Sequence, residues 1–153
     1  SRLINMDHET VLPYLTACEN RFGGRVAVLP FVLTGRYLSL LSPARKRQMS
    51  ALLRWLSRDQ LPLEVTADGA YPLPILRRFP GHAIVGACNL TLDPWTRMTF
   101  DLAGPAPARV DRLTAAGAWE AAEVTIATAG QRCRLALETS VSVATPLVLD
   151  LVW

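Results

Sequence analysis

Hydrophobic residues keep two different periods along this chain. In the first part they recur at helical spacing; in the second they alternate, or run in short blocks between turn residues. Val11, Leu12, Leu15, Cys18 and Phe22 sit at near-helical intervals, which predicts a helix starting at His8. Asp7 can cap it, Glu9 suits the positive end of its dipole, and Gly23-Gly24 supplies a stop. Pro13 falls within about the first two turns, which weakens that helix without excluding it. Residues 25–30, RVAVLP, are an apolar run suited to a buried strand of the parallel kind. Residues 31–41 read as a loop or short helical turn. Ser42-Pro43 opens a second helix, with Ser as cap and Pro at the first position. Met49, Leu52, Leu53 and Leu56 form one apolar stripe on it, and it ends near Arg58.

Beyond Asp59-Gln60-Leu61-Pro62 the pattern predicts seven or eight strands, at residues 63–67, 73–79, 83–92, 97–102, 109–113, 119–127, 133–138 and 147–152. Breakers separate them, among them Asp68-Gly69, Pro80-Gly81, Asp93-Pro94 and Ala129-Gly130. Met98, Phe100 and Leu102 alternate with polar residues, as do Cys133, Leu135 and Leu137. Such alternation belongs to sheets with one solvated face. The fold class that follows is α+β: a short helix–strand–helix α/β segment over residues 1–62, then an antiparallel β-sandwich over residues 63–153.

Composition changes this picture in one respect. Hydrophobic residues make up 50% of the 153 and mean hydropathy is +0.22. Charged residues make up 19%, against about 25% in ordinary soluble domains. The excess suggests that some apolar surface meets a neighbouring domain or subunit. No uncharged apolar run approaches about 18 residues, so no membrane span is expected. Net charge is +3, and Lys46 is the only lysine among 16 cations. The arginines are spread out except on the second helix. Three cysteines without CxxC spacing read as buried reduced thiols, which favours a cytoplasmic setting. The chain opens Ser1-Arg2-Leu3 without Met, which points to a start further upstream, so the absence of a signal peptide carries little.

Candidate chemistry is thin. Asp7, His8 and Glu9 are adjacent, and neighbours on a helix point about 100° apart, so a cap explains them better than a metal site. His82 lies beside a Pro-Gly turn with neither an orienting partner nor a nucleophile nearby in sequence. Cys88 and Cys133 sit in apolar strands and Cys18 on an apolar helix face, where a thiol behaves as a small hydrophobe. Arg45, Lys46, Arg47, Arg54 and Arg58 with Trp55 could face a phosphate backbone, but a solvated helix face accounts for them more simply, and nucleic acid is an unlikely partner. Trp95 in the Asp93–Thr96 turn and Tyr71 are the best candidates to stack on a sugar ring, although packing is the commoner use of such residues. Asn89-Leu90-Thr91 fits a glycosylation sequon inside an apolar strand. No metal or other cofactor is expected.

The order of these elements adds a resemblance. RVAVLP, SPARKRQMSALLRWLS, LPLEV, LPILRRFPGHAIVGACNLTLDPWTRMTFDL, RVDRLTAAGAWEAAEV and PLVLDLVW together resemble the C-terminal region of bacterial β-galactosidase-like glycoside hydrolases. There a catalytic barrel is followed by an amidotransferase-like α/β domain and a terminal β-sandwich. The resemblance covers most of the chain from Arg25 onwards; residues 1–24 match nothing specific in it. It implies a non-catalytic accessory module whose partners are other domains or subunits of a larger enzyme, the two hydrolytic carboxylates lying in the barrel. Two alternatives stand beside it: a carbohydrate-binding sandwich using exposed aromatics, and a stand-alone enzyme of unknown class.

Overall fold

The computed structural model describes residues 2–4, 9–13, 15–29, 43–68 and 72–153. It divides into two compact units, Ser1–Leu61 and Pro62–Trp153.

In the first unit, strands β1 (Arg2–Ile4) and β2 (Thr10–Pro13) pair antiparallel, as do β3 (Thr16–Glu19) and β4 (Arg25–Val28). The helix expected from His8 onwards is therefore replaced by strands at residues 10–13 and 16–19. The turn chemistry of Asn20 explains the difference. Its side-chain oxygen accepts hydrogen bonds from the backbone N–H groups of Phe22 and Gly24 at 2.9 and 2.8 Å. Gly23 takes the left-handed conformation, φ 80°. Gly23-Gly24 thus closes a β3–β4 hairpin instead of ending a helix. The strand at 25–28 is antiparallel and half open to solvent, not buried and parallel. Cys18 is exposed on β3 rather than packed on a helix face.

The second helix is present as α1 (Pro43–Leu56). Arg58 and Asp59 leave the right-handed region, φ 55° and 60°, and Asp59 N–H bonds the Arg54 carbonyl at 2.8 Å. The hairpin grips this helix end. Arg25 donates to the Trp55 carbonyl at 2.6 Å and lies over the indole at 5.1 Å. Glu19 bridges Arg25 and Arg58 at 2.8 and 3.2 Å. A cation on the terminal carbonyls complements the helix dipole. The Arg25 hydrogen bond is the main reason the Glu19 carboxyl sits below its ordinary value.

The second unit holds nine strands among the described residues. They are β5 (Leu63–Ala67), β6 (Pro72–Phe79), β7 (His82–Asn89), β8 (Trp95–Ala103), β9 (Arg109–Leu113), β10 (Trp119–Ala121), β11 (Thr125–Ala129), β12 (Arg132–Val141) and β13 (Leu147–Val152). They form a five-stranded sheet, β10-β9-β13-β7-β6, and a four-stranded sheet, β11-β12-β8-β5, both antiparallel throughout. The single strand expected at 119–127 is two strands. Residues 122–124 carry the chain from one sheet to the other, and Ala122 and Val124 pack against the core as they cross.

Period-2 alternation builds that core. Met98, Phe100 and Leu102 on β8 meet Cys133, Leu135 and Leu137 on β12, and Val85, Leu149 and Leu151 come from the opposite sheet. Full burial of one such side chain contributes about 1.5–3 kcal/mol. Gly86 on β7 is needed for close approach: a Cβ there would lie 2.6 Å from the Leu147 carbonyl oxygen on β13. Sixteen hydrophobic residues of this unit lie under the sheets, and the only buried polar side chain among the described residues is Asn89.

Candidate functional site

The outward positions of the five-stranded sheet follow from its register. Ile75, Gly86 and Val148 lie side by side across β6, β7 and β13, and Leu113 pairs with Trp119 across β9 and β10. Extending the β13–β9 register by one residue sets Leu113 beside Val148. An apolar row therefore crosses all five strands. Ile75 is 38% exposed and Trp119 45%; Leu73 and Phe79 on β6 add further exposed apolar surface. A solvated antiparallel face would carry polar residues here.

Polar and charged groups flank this row, already in contact with neighbours within the chain. Beside it run Arg77, Ile84, Asp150 and Asp111 in register. Asp111 bonds Arg109 at 2.8 Å, and Asp150 Oδ1 lies 3.1 Å from His82 Nδ1. The Arg77 guanidinium sits 5.8 Å from the Phe79 ring centre, and that ring stacks on His82 at 4.7 Å. Pairing of this kind lowers the cost of taking the charges out of water.

Sequence reading gave His82 no partner; Asp150, 68 positions away, orients its imidazole. Covalent hydrolysis here would also need a side-chain nucleophile. The row containing His82 holds Phe79, Val152 and Arg109, none of which is one. Cys88 shares the strand but lies six residues on, about 20 Å away at ordinary strand rise. Cys133 is buried, and burial, with a smaller push from Asp101, raises its thiol above the ordinary value. Among the described residues, no three His, Cys, Asp or Glu side chains cluster as a metal site would require.

The expected sugar platform at Trp95 needs correction. Trp95 is 1% exposed, one of the largest side chains in the core, and neither ring face is open to a ligand. Its strand begins inside the sandwich, where Trp95 pairs with the buried Val141 of β12; the next residues, Thr96 and Arg97, donate backbone N–H bonds to the Asp68 carboxylate at 3.1 and 3.2 Å. Tyr71 lies outside the described residues, as do Asp7 and His8. Glu9 is exposed. Asn89, first residue of the sequon, is 1% exposed. Its amide donates to the carbonyls of Asp93 and Val141, and its oxygen accepts from Thr91. On the basic helix, Trp55 and Arg58 are engaged by the hairpin. Arg47 is exposed.

Sequence reasoning passed over Leu113 and Asp150. One signal was legible: Leu73, Ile75 and Phe79 share a phase on a strand whose other phase also holds Leu76, so both faces of β6 are partly apolar. Among the described residues no helix is long and apolar enough to cross a membrane. In comparisons with known proteins, no family model and no curated protein matches the chain.

Proposed function

We propose that this chain is a non-catalytic accessory module of a carbohydrate-active enzyme, and that the outer face of its five-stranded sheet docks on a neighbouring domain or subunit of that enzyme. The apolar row from Ile75 to Trp119 carries the reading. Strand spacing and rise make this face about 20 Å by 25 Å, about 500 Å². Covering it with a matching surface removes about 1,000 Å² from water, the lower bound for a specific interface. Polar groups bonded to one another within the face, Arg109 with Asp111 and His82 with Asp150, suit it to an apolar partner. The class of enzyme comes from the resemblance carried by VGACNLTLDPWTRMTFDL and PLVLDLVW.

The test is co-fractionation with glycoside hydrolase activity in the natural gene product. Wild type is expected to elute with that activity. Leu113→Asp and Trp119→Asp are expected to open the sandwich to protease or release it, with its own unfolding midpoint retained. Wild type that elutes without hydrolytic activity overturns the enzyme class. Face variants that change neither elution nor protease sensitivity overturn the docking face.

A second reading, sugar binding, rests on the exposure of Trp119 beside Leu113. An indole face can stack on a pyranose. Titrating galacto-oligosaccharides against tryptophan fluorescence tests it: a saturable change lost in Trp119→Ala supports it, and no change in wild type removes it.

A further inference from the structure

We propose that β11 is a strand-addition edge through which two copies of this chain join their four-stranded sheets into one. The two sheets have four margins, β10, β6, β11 and β5. β10 is three residues long. β6 carries Pro72 and Pro74, which lack the donor a new strand would need. β5 runs beside β6 at the corner of the sandwich. β11 has no such protection. Its sequence is TIATA, without charge or proline, and all five residues are exposed. It pairs with β12 over its whole length without a register shift. An extended, uncharged edge is a template for another strand, and natural sheets ordinarily place a lysine, proline or bulge there.

Ile126 supplies an independent sign that something covers this edge. It pairs with Leu135, so it faces the core side of its sheet. It is nevertheless 41% exposed, whereas Leu135 is fully buried.

The occupant that fits is a second copy. Two β11 strands paired antiparallel about a two-fold axis at Ala127 set Ile126 against Thr128 of the other copy and Thr125 against Ala129. Directly opposed residues share a face, so each Ile126 gains a neighbour on its core side. No like charges meet within the strand. The contact is small, one strand of about 17 Å, so the dimer is concentration-dependent. It is separate from the sheet face of the proposed docking and does not rest on it.

Sedimentation of the intact chain over roughly 10 µM to 1 mM tests this, the range expected of an interface below standard size. Wild type is expected to move from monomer to dimer across that range. Ala127→Lys and Ala127→Glu, on the exposed phase of the strand, are each expected to stay monomeric with the thermal midpoint of wild type. Mixing the two is expected to restore the dimer, since opposite charges then meet at the axis. A wild type that stays monomeric at the highest concentration overturns the proposal, as does a dimer unaffected by either variant. A dimer lost in Leu113→Asp but kept in Ala127→Lys would place the contact on the sheet face and overturn it too. Failure of these variants leaves the docking reading standing, because its variants and readouts differ.

Discussion

The Asn89 side-chain amide on β7 donates a 3.0 Å hydrogen bond to the Val141 carbonyl on β12, so one buried polar group ties the five-stranded sheet to the four-stranded sheet. The same side chain holds the turn that follows, through Asp93 and Thr91. A buried amide with its bonds made costs little; one left half-paired costs its desolvation. Asn89→Ala strands the Val141 carbonyl, and is expected to lower stability by about 1–3 kcal/mol. Urea unfolding followed by near-ultraviolet circular dichroism measures it. A midpoint equal to wild type would show that Asn89 is not an inter-sheet tie.

Trp95 is a core residue, so its substitutions should read as packing changes. Trp95→Ala is expected to cost about 3–5 kcal/mol, as large-to-small core changes do. Trp95→Phe keeps an aromatic ring in the site and is expected to cost less than Trp95→Ala. Among the described residues no acceptor partners the indole N–H, so losing that donor offsets part of the lost volume. Guanidinium denaturation of the two variants separates them; equal costs would refute the packing account.

Asp68 joins the end of β5 to the start of β8. The Thr96 hydroxyl donates to it at 2.6 Å, and this bond, followed by the backbone N–H groups of Thr96 and Arg97, holds its carboxyl below the ordinary value of 3.8. A depressed folded pKa means that the carboxylate's contribution is complete above that ordinary value. It is lost as pH falls through the folded one. Asp68→Asn is therefore expected to weaken the fold at neutral pH and to flatten the loss of stability in acid. Thermal midpoints of both proteins between pH 2 and pH 7, about the window in which carboxylates titrate, check this. Parallel curves would reject it. Glu19, lowered in the same direction by Arg25, keeps the remaining slope from vanishing.

The three thiols should separate by exposure. Cys18 is exposed, Cys88 half-buried and Cys133 buried with its thiol pushed up. An aromatic disulfide reagent is expected to label Cys18 first and Cys133 only as the chain unfolds, because the thiolate is the reactive form. Cys18→Ser should remove the fast phase. Rapid labelling of Cys133 in the native state would revive a thiol-dependent reading.

Local pattern determined α1, through Ser42-Pro43 and the stripe from Met49 to Leu56, and most of the sandwich. The alternation in 98–102 and 133–137 named core residues directly, because a pleat sends every second side chain to the same side. Local pattern failed where pairing partners decide. Val11 to Phe22 has helical spacing, yet Asn20 and Gly23 make a hairpin whose register is held by Glu19 with Arg25. The stretch 119–127 reads as one strand because nothing local marks a change of sheet. Trp95 sits beside turn residues and still lies in the core, because it pairs with Val141 of β12, 46 positions later. The apolar phase of β6 is legible locally, but the row is not: Ile75, Val148, Leu113 and Trp119 become neighbours only when β6, β7, β13, β9 and β10 are laid side by side in that order. Periodicity tells which side of its own strand a residue takes; which strands lie next to one another is decided by contacts far apart in the chain.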